Sequence, residues 1–175
     1  MSKTPNDHGE PGKRFVDLHP ISKVSLSQIV GLVEAVDEQG GDADVALIAR
    51  ESEMDLDVIA PVVAAAELLG LVTVDAGNLR LTDLSRRILE ASVRERKSIF
   101  REIVQAVPVF RQVMDRIRDA GRPLSRDEVL GALSAHIGSH QSEEAFRALV
   151  YWGRYAELVT YDSRSERLGL RTPGA

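Results

Sequence analysis

The sequence predicts a mainly α fold with two small β-hairpins, arranged as two winged-helix-like units flanking central helices. Three observations carry that expectation. Apolar residues recur at helical spacing through most of the chain. Two short β-rich runs, each following a long amphipathic stretch, carry nearly the same letters, LVTVD at 71–75 and LVTYD at 158–162. With Leu71 set over Leu158, residues Ile59, Val62, Val63 and Ala66 fall on Phe146, Leu149, Val150 and Gly153, so the preceding helices share an apolar face as well.

Residues 1–20, rich in Pro, Gly, Ser, Asp and Lys, are expected to form a flexible leader. A first helix is predicted over 25–39. Ser25 and Gln28 have the spacing of a capping box, Ile29, Leu32, Val33 and Val36 share one face, and Gly40 and Gly41 supply the stop. Asp44 can cap a short helix carrying Val45, Leu47, Ile48 and Ala49. A longer helix follows to Leu69, opened by Asp55 or Asp57. Pro61 favours Asp57, because the proline then falls in the first turn, where a missing amide hydrogen costs least. Gly70 ends this helix, and Ala76 and Gly77 join the β-rich runs 71–75 and 78–81 into a hairpin. Three helices and then a hairpin is the order of a winged helix-turn-helix.

Beyond the hairpin, Thr82 can cap a helix through Leu84, Ile88 and Leu89. Ile99, Phe100, Ile103 and Val104 mark another that reaches Pro108, and Val109, Phe110, Val113, Met114 and Ile117 mark a third ending near Gly121. From Ser125 the pattern resumes with a helix carrying Val129, Leu130, Leu133 and Ile137. A polar break, GSHQS, a helix over 142–156 and the second hairpin follow. The expected organisation is a leader (1–20), a first winged-helix-like unit (21–81), a helical scaffold (82–122), a second winged-helix-like unit (123–171) and a flexible tail (172–175).

At 175 residues the chain suffices for one substantial domain or two small ones sharing a core. Apolar residues at 43% and charged residues at 28% place it with folded globular proteins rather than disordered or membrane-spanning ones. No apolar run approaches the ~20 residues of a bilayer span, and the N-terminus lacks the apolar core of a secretion signal. A cytoplasmic protein without direct membrane insertion is therefore expected. The absence of cysteine excludes disulfides, thiolate metal sites and thiol nucleophiles.

The formal charge of −5 is unevenly spread. Residues 1–81 hold 6 Lys and Arg against 14 Asp and Glu, whereas residues 82–126 hold 11 against 6. The acidic front and basic middle either face one another, within one chain or across two, or offer a charged docking surface, with Arg86, Arg87, Arg94, Arg96, Lys97 and Arg101 as its candidates.

Reading DNA requires cations that replace phosphate counterions and polar side chains that face the bases. The segment in the recognition position, DVIAPVVAAAELL, has no Lys or Arg and carries Asp57 and Glu67, and the hairpin offers only Arg80 beside Asp75. Nucleic acid is thus an unfavourable partner. The one Gly-Lys pair, Gly12-Lys13, lacks the glycine spacing of a phosphate loop, and no GxSxG elbow is present, so neither nucleotide hydrolysis nor acyl transfer is expected. His136 and His140 have the i, i+4 spacing of a metal pair but bracket an expected helix end and lack a third ligand, so no metal or other cofactor is expected. The less ordinary cluster is aromatic. Every Tyr and Trp of the chain lies at Tyr151, Trp152, Tyr155 and Tyr161, interleaved with Arg154, which suits either a core at a helix-to-strand junction or a partner and ligand surface.

The strings YWGRYAELVTYD at 151–162, AAELLGLVTVDAGNLRLTDLSRRI at 65–88 and ERKSIFREI at 95–103 carry a closer signal. The chain resembles the AAA-associated C-terminal domain family, over about residues 24–170. The resemblance implies a non-catalytic accessory and regulatory module, of the kind found at the C-terminus of ABC-importer ATPases for nitrate, sulfonate, taurine and bicarbonate. Its partner would be such an ATPase or a related protein, met at the inner face of the membrane. No nucleotide-binding domain precedes the resembling region, so a module acting apart from its ATPase is expected, with homodimerisation through the central helices as a further expectation. A winged-helix transcription regulator is the alternative.

Overall fold

The computed structural model describes residues 21–172, in which eight α-helices surround two three-stranded antiparallel sheets. The expected leader lies outside the described residues, as do residues 173–175 of the expected tail. After a 3₁₀ turn at Ile21–Lys23, helix α1 (Leu26–Glu38) starts on the expected capping box. Ser25 Oγ accepts the Gln28 amide, and the Gln28 side chain accepts the Ser25 amide. Strand β1 (Asp42–Asp44) leads into α2 (Val45–Glu51), which Asp44 caps through the Ala46 amide. Helix α3 (Leu56–Leu68) then feeds the hairpin β2 (Val72–Asp75) and β3 (Asn78–Leu81).

Two expectations for this unit are corrected. The N-cap of α3 is Asp55 rather than Asp57, and its side chain makes no capping hydrogen bond. Pro61 accordingly sits two residues deeper in the helix than expected, leaving the carbonyl of Asp57 without its i+4 donor on an exposed face, where water can serve it. The hairpin also gains a third strand, since β1 pairs with β3 in the register Asp42↔Arg80, Ala43↔Leu79 and Asp44↔Asn78. DAD has no intrinsic preference for a strand. It is extended because the residues before an N-cap must be, and the hairpin edge supplies its partner.

Helix α4 (Asp83–Glu90) begins at Thr82, whose hydroxyl accepts the Ser85 amide, and packs on α1 and β3. Helices α5 (Val93–Ala106) and α6 (Pro108–Ala120) pack instead towards the second unit, α5 on α8 and α6 on α7 and on strand β6. That unit comprises β4 (Leu124–Ser125), α7 (Arg126–Ile137), α8 (Ser139–Tyr155), β5 (Val159–Asp162) and β6 (Arg167–Leu170). Its hairpin too gains a strand, β4 against β6. The polar break expected at 138–142 contracts to Gly138 alone, at φ 82°, and α8 starts at Ser139 rather than Ser142.

The repeat read from the sequence reappears in the way α3 and α8 end. In the first unit the Leu71 amide donates to the Ala66 carbonyl and the Gly70 amide to that of Glu67, with Gly70 in the left-handed region. In the second, Leu158 donates to Gly153 and Glu157 to Arg154, with Glu157 at φ 57° in the same role. One continuous apolar core runs through both units and the helices between them, from Ile21 and Ile29 through Phe100 and Phe110 to Leu149 and Trp152. Among the described residues no helix is long and apolar enough to cross a membrane.

Candidate functional site

Helix α8 buries one face and exposes another. Phe146, Leu149, Trp152 and Gly153 point inward, while Arg147, Tyr151, Arg154 and Tyr155, at i, i+4, i+7 and i+8, form an exposed stripe. The helix can lie close against β5 because residue 153 has no side chain. A Cβ there would stand 2.6 Å from Cγ2 of Val159. The tight turn at Glu157 then returns β5 alongside the stripe. Past β6, the amide of Arg171 donates to the Leu158 carbonyl at 2.9 Å, so the chain comes back to the same place.

The result is an open groove of about 860 Å³. Its floor is apolar, from Phe146, Val150 and Val159, and its walls carry Arg147, Arg154 and Arg171 with Tyr151, Tyr155 and Tyr161. The Tyr161 ring meets Phe146 edge-on at 5.5 Å, and Tyr155 meets Phe100 likewise at 5.6 Å, so two of the three phenols are held by the core beneath them. Lys97 lies 5.8 Å from the Tyr155 ring centroid and 3.4 Å from Glu157. Among the described residues, none of the three groove arginines makes an ion pair. Chemically the lining offers guanidinium forks that suit carboxylate or phosphate, and rings that suit flat or apolar groups.

Four of the five aromatic-cluster candidates, Tyr151, Arg154, Tyr155 and Tyr161, line this groove. Trp152 does not, which corrects its place on the candidate surface. It is buried against Phe110, and its Nε1 donates to the Val24 carbonyl at 3.0 Å, which makes it a core pin between α8 and the start of α1. The repeat contained that answer, because an offset of 87 residues sets Trp152 over Ala65, which is also buried. Of the groove's charged residues, two were missed. Arg147 stands four residues before Tyr151 and was legible from helical spacing, whereas Arg171 reaches the site only through the hairpin, which no local pattern encodes.

The basic candidates are dispersed. Arg86 pairs with Asp83, Arg87 with Glu102 at 2.9 Å, Lys97 with Glu157, and Arg96 with Glu34 while its Nε donates to the Ile88 carbonyl. Among the described residues only Arg94 and Arg101 of the six make no ion pair. Much of the positive charge of the middle segment is thus answered inside the chain, and Arg96–Glu34 ties it to the acidic front. Arg80, the cation of the first hairpin, is engaged by Asp42 across the sheet rather than by Asp75, through Nε at 3.0 Å and a terminal nitrogen at 2.9 Å. Hydrogen bonds from Asn78 and Arg80 hold the Asp42 carboxyl below its usual range. His136 and His140 fall on different helices, α7 and α8, with Gly138 between them, so their spacing is not that of one helical face.

Comparison with known families matches the chain to the model described as the C-terminal AAA-associated domain, over residues 47–162. No curated protein and no solved structure matches the chain.

Proposed function

From its membership of the C-terminal AAA-associated domain family, to which the chain belongs, we propose that it is a non-catalytic accessory module of an ATPase, docking through the groove between α8 and β5. The ATPase is of the ABC-importer kind that serves nitrate, sulfonate, taurine or bicarbonate. The observation that carries this reading is the convergence of Arg147, Arg154 and Arg171 with three tyrosines on an outer face where, among the described residues, no carboxylate pairs with the arginines. Guanidinium groups and tyrosines are the side chains that most often anchor protein interfaces. The module regulates by preference: it shifts turnover only insofar as it binds one state of the ATPase better than another.

The test is affinity capture from cytoplasmic and membrane fractions, with the retained proteins identified and the ATPase rate measured with and without the module. The native chain should retain an ABC ATPase and change its rate. Arg147→Glu/Arg154→Glu, which inverts the groove and touches no core contact, should lose both. Retention of specific duplex DNA instead, sensitive to substitutions in α3, would replace this reading with that of a transcription regulator.

A further inference from the structure

A second groove lies on the first unit, remote in sequence from the arginine-lined one. It has a volume of about 340 Å³, between α1 and the α2–α3 turn, with Gly31, Leu32 and Ala35 on one side and Met54, Val58 and Val62 on the other. Its mouth continues into an exposed apolar ridge. Met54, Leu56 and Val58 are 49%, 54% and 54% exposed, three large apolar side chains within five residues. A soluble surface rarely groups such residues without a partner.

Two observations specify that partner. The ridge alternates with carboxylates, as ESEMDLDV over 51–58, and Glu51, Glu53, Asp55 and Asp57 are all exposed. Among the described residues none of the four makes an ion pair, and from residue 24 to 79 the sequence has 11 Asp and Glu against one cation, Arg50. The second observation is Gly31. It stands inside α1, where glycine costs ~1 kcal/mol relative to alanine, yet a Cβ at this position would meet nothing within 4 Å. Nothing in the chain's own packing requires glycine there. What it preserves is an open groove floor, on which another backbone or a bulky side chain can approach α1 closely.

We propose that this groove receives an amphipathic helix of a protein partner, whose apolar stripe seats on Gly31, Met54 and Val58 and whose flanking Lys or Arg side chains meet Glu53, Asp55 and Asp57. The mode is a helix laid in a hydrophobic groove, with the acidic rim fixing polarity and partner charge. A second copy of this chain is a poorer occupant, because its α5 offers only Val93 as a large exposed apolar side chain and the exposed stripe of α8 carries tyrosines and arginines but no aliphatic residue to seat in the groove.

The test uses the full chain and a labelled synthetic amphipathic peptide of Leu and Lys, followed by fluorescence anisotropy. Controls are a scrambled Leu/Lys peptide and a helical Leu/Glu peptide. The helical Leu/Lys peptide should bind at least about tenfold more tightly than either control. Gly31→Leu should weaken it by about tenfold without lowering the melting temperature, since the new side chain occupies the groove and not the core. Asp55→Asn/Asp57→Asn should weaken it severalfold and flatten its salt dependence. Equal binding of the scrambled peptide, indifference to Gly31→Leu, or no binding would overturn the proposal. So would self-association of the chain, by sedimentation, that Gly31→Leu abolishes and the peptide competes away.

Discussion

Gly31 and Gly153 both interrupt helices, and what a methyl group would meet at each gives them opposite predictions. At Gly31 the space is open, so Gly31→Ala should gain the helix-propensity difference and stabilise the chain by ~0.5–1 kcal/mol. At Gly153 the same gain is outweighed. The new Cβ would lie 2.6 Å from a methyl of Val159, whose β-branched side chain has little freedom to turn away. Overpacking of this kind costs ~1–3 kcal/mol, so Gly153→Ala should be net destabilising and should loosen β5, hence the arginine-lined groove. Urea unfolding of the two variants beside the native chain measures both signs. Neither outcome was legible from the residue type. The sequence offered three helix-interior glycines, Gly31, Gly131 and Gly153, and only the close approach of α8 to β5 sets the last apart. Trp152 shows the converse: the aromatic cluster is close in sequence, but Trp152 stands on the buried face of α8, Tyr151 and Tyr155 on its exposed one and Tyr161 on β5, and the helical period alone would set Trp152 apart from its two helical neighbours.

The contacts that fix helix starts span three residues, which made the box at Ser25 and Gln28 legible, although α3 is capped two residues and α8 begins three residues before the expected positions. Ser25 with Gln28, Ser92 with Glu95 and Ser125 with Glu128 each close a capping box. The last has a pH signature. Hydrogen bonds from Arg122 and then from the Ser125 amide, with Arg122 donating at 2.8 and 3.1 Å, bring the Glu128 carboxyl down from 4.5 to about 2. A carboxyl lowered by folding contributes stability that is present in full above its unfolded value and is lost as the pH falls through its folded one. Glu128→Gln should therefore be less stable than the native chain at neutral pH. The gap should narrow as pH falls from about 4.5 towards 2, as melting temperatures at stepped pH would show. A gap independent of pH would mean that the carboxylate charge contributes nothing. Because the pair is exposed, added salt should shrink the effect. The elements missed, β1 and β4, are short strands whose partners stand some 40 residues away, and their own letters, DAD and LS, encode only the extended entry to a cap.

At the scale of the whole molecule, the two units read from the repeat share one core, and the residues that join them set how the chain unfolds. Ile21 is fully buried, the 3₁₀ turn that it opens packs on both α3 and α8, and the Trp152 indole reaches back to the Val24 carbonyl, so the start of the described chain clamps its far end to the first unit. Separating the units would expose this junction, through which the shared apolar core is continuous. The chain should accordingly unfold in one transition, with Trp152 fluorescence and far-ultraviolet circular dichroism changing together in urea. Ile21→Ala, which removes a buried side chain at the clamp, should cost ~2–5 kcal/mol. It should move both signals by the same amount, although it lies 131 residues from the tryptophan. Two separated transitions, or an Ile21→Ala effect confined to one probe, would show that the repeats fold as independent bodies. In that case the two grooves, one on each unit, would be free to move relative to one another, and a partner bound in the acidic one could not influence the arginine-lined one through the shared core.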